Sequence, residues 1–232
     1  MTAITFTLKN NLTFKLDCSR LTPNNLTGLS IEQIKNLKLL YSKNSPKVSD
    51  FFDVSGDDTK QKSDKAAKNI LFKNSSSLLD YIGHKMTQGQ ITIETDCGDF
   101  LGANMQGGNI VCSGNAGDRV GDGMRRGLIL IDGNAADYCG SRMIAGTIGV
   151  YGKAGEYVGF GMKRGTLLLT QKPKLHATIQ DCGTHTLPFL ALLFASFKPL
   201  ASAFNKVQSQ RVQRFGGDLA CGGNGEILLL LT

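Results

Sequence analysis

The sequence predicts a mainly β protein: a right-handed β-solenoid of about five 19-residue coils, flanked by an N-terminal β-hairpin and helix segment and a C-terminal helix plus strand. Three observations predict it. The first is the phrase G-x-x-M-x-x-G, which recurs five times at a spacing of 19 residues. Its copies are Gly83-Met86-Gly89, Gly102-Met105-Gly108, Gly121-Met124-Gly127, Gly140-Met143-Gly146 and Gly159-Met162-Gly165, and they hold every methionine after Met1. The second is a short run after each phrase: "QITIE", "NIVCS", "LILID", "TIGVY" and "TLLLT". In these runs one apolar position (Ile91, Ile110, Ile129, Ile148, Leu167) is followed two residues later by another (Ile93, Cys112, Ile131, Val150, Leu169). The third is a small-residue turn ending in an acid (Asp99, Asp118, Asp137, Glu156), with a third apolar position behind it (Leu101, Val120, Cys139, Val158). A fixed period of this size marks stacked units. Residues two apart on a strand share a face, and no unit this short buries its apolar side alone, so stacking supplies the core. Glycine makes up 28 of the 232 residues, which suits tight corners and close backbone approach.

The elements follow in order. Residues 4–16, "ITFTLKNNLTFKL", alternate apolar and polar on both sides of Asn10-Asn11 and predict a hairpin, because Asn tolerates the positive φ of a primed turn. Ser30 opens a short helix, with Gln33 at the capping-box position and Ile31, Ile34 and Leu37 on one face. Gly56–Lys68 is charged and aperiodic and predicts an exposed loop, and "NILFK" returns to strand. The domain organisation is therefore 1–68 for the N-terminal segment, 69–172 for the repeats and 173–232 for a C-terminal helix and strand. A stack of coils has two raw edges open to pairing with other chains, and the two flanking segments are the candidates for covering them. Leu187–Phe204 is apolar but contains Pro188, Lys198 and Pro199. It falls short of the roughly 20 residues that a bilayer requires, which predicts a buried or partner-facing helix and no membrane association.

Two of the phrases, "GDGMRRG" and "GFGMKRG", invite a phosphate-cradling reading. A dinucleotide-binding loop occurs once, between a strand and a helix, with G-x-G-x-x-G spacing; five copies in a different spacing argue for structure instead. The net charge of +7 favours an acidic partner, but with no Trp and only 5 Tyr there is no aromatic platform for nucleic acid. Lys85, Arg125, Arg126, Arg142, Lys163 and Arg164 flank the repeat methionines and predict a ladder of cations along one edge. Its plain reading is a solvated edge offset by Asp118, Asp122 and their neighbours; the sharper one is a docking surface for a partner or an anion. The acidic row from Asp99 to Glu156 predicts carboxylates that accept hydrogen bonds from glycine-turn N–H groups. No metal site is expected from His84, His176, His185 and Cys182, whose spacing matches no strong ligand pattern. No catalytic residue is expected either: a Cys182–His185 pair is a weak nucleophile candidate, and no triad or acid/base pair stands out. Cys112 and Cys139 sit at apolar repeat positions and read as small core residues. The N-terminus lacks a basic start followed by an apolar run, so a cytoplasmic location is expected.

The repeat phrase, the "QDCGTH" segment (Gln180–His185) and the terminal "QRFGGDLACGGNGEILLL" together resemble the C subunit of formylmethanofuran dehydrogenase, and in particular the C subunit of the bacterial formyltransferase/hydrolase complex. The same glycine-rich solenoid is found in the C-terminal domain of glutamate synthase. The resemblance covers nearly the whole chain. It implies a non-catalytic structural subunit in a hetero-oligomer with a formyltransferase subunit and an amidohydrolase-like subunit. It also implies that no cofactor is bound on this chain, the methanofuran-type carrier and any metal belonging to the partners. The carrier's polyglutamate tail is then a candidate ligand for the basic ladder. Two alternatives stay open: the C subunit of a tungsten or molybdenum formylmethanofuran dehydrogenase, and a free-standing adaptor.

Overall fold

A computed structural model of the chain describes residues 3–40, 42, 44–56 and 69–231. It is mainly β, with one large open sheet and few helices. In chain order the elements are β1 (Ala3–Leu8), β2 (Leu16–Asp17), α1 (Pro23–Leu26), α2 (Ile31–Lys35), α3 (Val48–Phe51) and β3 (Phe52–Ser55). There follow β4 (Asn69–Lys73), β5 (Leu79–Asp80), β6 (Gln90–Ile93), β7 (Gln106–Cys112), β8 (Arg126–Ile131), β9 (Thr147–Val150) and β10 (Thr166–Leu169). The C-terminal part holds β11 (Gln180–Thr186), α4 (Phe189–Phe197), β12 (Arg211–Gly216) and β13 (Glu226–Leu230).

The 19-residue period sets the register. From β6 to β10 each strand pairs in parallel with the next, so Ile91, Ile110, Ile129, Ile148 and Leu167 form one row and Ile93, Cys112, Ile131, Val150 and Leu169 another. Both rows continue outward. Ile70 and Phe72 of β4, then Ile4 and Phe6 of β1, extend them at one end; Ile227 and Leu229 of β13 extend them at the other. All of these residues are buried. Opposite them, Met86, Met105, Met124, Met143 and Met162 are buried completely, as are the third-position residues Leu101, Val120, Cys139 and Val158. Backbone bonds join neighbouring repeats away from the strands as well: Gln106, Arg125, Ile144 and Lys163 donate to the carbonyls of Met86, Met105, Met124 and Met143, and Gly121 and Gly140 donate to Leu101 and Val120.

Two glycine positions show why the phrase is built as it is. At Gly127, φ is +108°, and an added Cβ would lie 2.7 Å from the Gly108 carbonyl and 2.8 Å from the Met105 methyl. At Gly121, a Cβ would come within 2.3 Å of the Ile148 side chain. The glycines are the hollows into which a neighbouring repeat's Met and Ile fit.

The hairpin expected around Asn10-Asn11 does not form. β1 instead takes β4 as a parallel neighbour and β3 as an antiparallel one, which satisfies both of its edges, and β2 pairs in parallel with β5. The helix at Ser30 forms with a reciprocal capping box, Ser30 Oγ accepting from Gln33 N–H and Gln33 Oε1 accepting from Ser30 N–H. The expected loop Gly56–Lys68 lies, apart from Gly56, outside the described residues.

At the C-terminal end the sheet turns antiparallel through β12 and β11. α4 lies on the face of the sheet opposite the main core. Leu190, Phe194, Phe197, Leu200 and Phe204 pack there on Val111, Leu130, Leu168 and Leu228. Asp132 ties the segment down by accepting from Ser202 Oγ at 2.6 Å and from Ala203 N–H at 2.8 Å. α4 ends at Phe197; Lys198 keeps helical dihedrals as its cap, and Pro199 behind it has no N–H with which to continue the helix. No described helix is long and apolar enough to cross a membrane.

Candidate docking edge

The two residues after each buried methionine lie at or near the solvent edge, except Gly107, which is buried. After Met124 and Met162 these are Arg125-Arg126 and Lys163-Arg164, all exposed. After Met86, Met105 and Met143 the same places hold Thr87-Gln88, Gln106-Gly107 and Ile144-Ala145. The cations therefore come in two pairs separated by two strand spacings, about 10 Å. That is close to a Debye length at physiological salt, so the pairs repel each other weakly. Among the described residues none of the four forms an ion pair.

Lys85 and Arg142 stand on the other side of the methionine row, each immediately before its Met. Their backbone is left-handed, with φ of 54° and 53°, as it is at Asn104, Gly123 and Gly161 one or more repeats away. The middle glycine found in only two copies of the phrase therefore relieves a strain that the other three accept. Arg142 is not a free cation. Its guanidinium grips Asp122 with two contacts, one of them Nε to Oδ1 at 2.9 Å, and Asp122 is almost wholly buried and also accepts from Ser141 Oγ at 2.6 Å. The hydrogen bond to Asp122 holds the Arg142 pKa above its ordinary value. The structure thus groups Arg125, Arg126, Lys163 and Arg164, sets Lys85 apart, and engages Arg142 internally.

The acidic row is structural. Asp80, Asp99, Asp118 and Asp137 each accept, through Oδ1, the backbone N–H of the acid in the next repeat, at 2.8, 2.9, 3.0 and 2.8 Å. The donors are the N–H groups of Asp99, Asp118, Asp137 and Glu156, the residues that end the small-residue turns. Glycine contributes space: a Cβ at Gly117 would come within 2.2 Å of Asp99 Oδ1. Lys15 contacts both Asp80 and Asp99 at one end of the row, and Lys174 reaches Glu156 at 2.7 Å at the other. Burial is the main cause that raises the Asp80 pKa.

Two further rows are not singled out by the sequence reading. Asp96, Asn115 and Asn134 accept the N–H groups of Asn115, Asn134 and Lys153 in the same way. The other row is Tyr81, Phe100, Arg119, Tyr138 and Tyr157, all at φ between 57° and 61°. Tyr81 stacks on Phe100 at 4.6 Å and Tyr138 on Tyr157 at 4.8 Å, while the Arg119 guanidinium lies 4.6 Å over the Tyr138 ring. The 19-residue spacing of these residues is the one signal that could reveal either row.

Several of the remaining candidates are engaged by the fold. His185 Nε2 donates to the Cys182 carbonyl at 2.8 Å, and the Cys182 thiol donates to the Gln180 carbonyl. Cys112 and Cys139 are fully buried, and burial pushes the Cys139 thiol up to about 12. Burial works against ionisation of Asp218, but bonds from Gly161 N–H, Thr178 and Ala220 N–H hold its pKa below the ordinary value. Among the described residues no group of three or more His, Cys, Asp or Glu side chains is placed to hold a metal ion.

No protein-family model matches the chain. Over 98 residues it is 30% identical to the C subunit of the tungsten-containing formylmethanofuran dehydrogenase 2 of Methanococcus maripaludis. Over 94 residues it is 35% identical to the protein of the same name from Methanothermobacter marburgensis. Over these regions the chain is a homologue of the formylmethanofuran dehydrogenase C subunit. The matched regions cover 42% and 40% of this chain, and the chain spans about a third (34%) of the length of these curated relatives. Among solved structures, the chain resembles one from the formyltransferase/hydrolase complex (FhcABCD) of Methylorubrum extorquens in complex with methylofuran. There the TM-score is 0.68 and the identity 28%, over 98% of this chain and 100% of that one.

Proposed function

We propose that this chain is the non-catalytic structural subunit of a formyltransferase/hydrolase complex. The complex moves a formyl group from tetrahydromethanopterin to a methanofuran-type carrier and releases formate, with the chemistry on formyltransferase and amidohydrolase-like partner subunits. The observation that carries this reading is the end-to-end match to a chain of FhcABCD. We take the repeats to wind as a right-handed β-solenoid. In-register strands, together with the bonds from each repeat to the next at the methionine and acid corners, support that winding. The acids and Arg142, which carry charge enough for chemistry, are spent on joining repeats, in keeping with a scaffold.

In this reading Arg125, Arg126, Lys163 and Arg164 meet a carboxylate-rich surface or carrier tail of the complex. Four exposed cations outside the ion pairs of the described residues suit long-range attraction to an acidic partner. The test is affinity purification of the chain from its host, as wild type and with Arg125→Glu, Arg126→Glu and Arg164→Glu combined. The wild type is expected to bring down chains that transfer and hydrolyse formyl groups. The triple variant is expected to lose partner or carrier at least tenfold, and earlier as salt rises. Unchanged composition and turnover in the triple variant would remove the docking role.

The second reading is the C subunit of a tungsten or molybdenum formylmethanofuran dehydrogenase, favoured by the names of the curated relatives. Tungsten or molybdenum in the purified wild-type complex would select it.

A further inference from the structure

We propose that the outer face of α4 docks a different protein chain, one whose contact surface is apolar at the centre and carboxylate-rich at the rim. The proposal rests on the reading that this chain works inside a hetero-oligomer, and it concerns a face remote in sequence from Arg125 and Arg164.

α4 reads "FLALLFASF", and Ser196 is its only polar side chain. A helix that is apolar all round is ordinarily buried all round. This one is buried on one side only, where Leu190, Phe194 and Phe197 meet the sheet. On the other side Leu192 is 77% exposed and Phe189 45%, with Ala191 and Ala195 also exposed. Phe189 and Leu192 are three apart and so share a face. Beside them lies a shallow depression of about 260 Å³, lined in part by Ala191, Ala195, Lys198 and Val207. Large exposed apolar side chains beside a groove of small ones form the centre of an interface.

The rim says what kind of partner fits. Between Asp181 and Asp218 the sequence has no acidic residue. Lys198 caps the C-terminal end of α4, and Lys206 stands in the turn that follows. Arg211 lies near the other end, since Leu187 N–H donates to the Gln210 carbonyl just before the helix begins. All three are exposed, and none forms an ion pair among the described residues. A two-fold contact would set this patch against itself, bringing like charges together in a chain that already carries +7. A patch of one sign favours the complementary one and disfavours its own copy. The occupant is therefore a heterologous, acid-rimmed surface.

The experiment uses the native complex isolated from the host, compared by native mass spectrometry for wild type, Leu192→Asp, and the triple reversal Lys198→Glu, Lys206→Glu, Arg211→Glu. Leu192 is so exposed that Leu192→Asp leaves the free chain's melting curve unchanged. In the complex it is expected to weaken retention of one identified partner at least tenfold. The triple reversal should release the same partner at lower salt, and the amides of α4 should exchange more slowly in the complex than in the free chain. A complex that Leu192→Asp leaves whole overturns this proposal alone. Crosslinks joining α4 of two copies overturn it in favour of self-association. If Leu192→Asp costs the complex an identified partner, yet the complex has no formyl-transferring chain, the docking face stands and the proposed function falls. A wild-type chain that emerges alone overturns both.

Discussion

A carboxylate in this protein does the work that a backbone carbonyl does elsewhere. Asp118 Oδ1 accepts the Asp137 N–H at 3.0 Å, and Asn115 Oδ1 accepts the Asn134 N–H at 2.9 Å in the neighbouring row. The two rows make the same contact with charged and neutral side chains, so geometry rather than charge is what the contact needs. Asp118→Ala is expected to lower stability by about 1–3 kcal/mol, because it leaves a half-buried donor without a partner. Asp118→Asn should come within a few tenths of a kcal/mol of wild type. Urea midpoints at constant m-value decide, and equal losses for Ala and Asn would refute the reading. The methionines and their glycines are legible in the sequence because their chemistry is one-sided: a methyl needs a hollow, and only glycine provides it. Tyr81, Phe100, Arg119, Tyr138 and Tyr157 are not legible. Bulky residues avoid positive φ, and local preference alone would never place them there. Stacking between repeats, worth about 0.5–1.5 kcal/mol per aromatic pair, offsets part of that strain.

At the level of elements, the strands repeat but the faces they cover do not. In β6 the middle residue Thr92 is half-exposed, whereas Val111, Leu130, Gly149 and Leu168 at the same register are buried under the α4 segment. The change from Thr to Val and Leu is visible in the sequence. Its meaning is not, because a strand buried on both faces and one buried on a single face differ only at that position. Gly149 marks the closest approach: a Cβ there would lie 2.9 Å from both the Phe204 ring and Leu130. Phe204→Ala is expected to cost about 3–5 kcal/mol and Gly149→Val about 1–3 kcal/mol. Combined, they should fall short of the sum by about 1 kcal/mol or more, since valine partly fills the space the ring leaves. Strict additivity in chemical denaturation would show that the ring does not press on Gly149. The hairpin expected at Asn10-Asn11 fails for a related reason. Alternation identifies a strand but not its neighbour, and β1 finds two partners more than 40 residues away along the chain.

The molecule as a whole is a one-dimensional stack with dressed ends. β3 at one end and β12 with β11 at the other are antiparallel, and β11 carries a register break between Asp181 and Thr184 that spoils it as a template for further pairing. Stability in such a stack is a sum of local terms and nearest-neighbour terms, so the middle repeats, with a neighbour on each side, are held hardest. Native-state hydrogen exchange should therefore be slowest in β7, β8 and β9 and fastest in β11, with β13 between. Uniform protection across all of them would mean that the stack opens only as one unit. What the sequence discloses at this scale is the period and therefore the sheet; what it withholds is the side on which the C-terminal segment lies, since that depends on contacts far apart along the chain.

One consequence follows from the way each carboxylate reaches forward to the succeeding amide. Because every link is identical to the last, the molecule's length comes in quanta. On the methionine face, excising a single complete period sets like against like, while cutting one residue more or fewer leaves the thioether at that junction against a backbone that has no vacancy for it. Such a ruler lets evolution set the distance between whatever sits at its two ends in fixed increments, without redesigning either end.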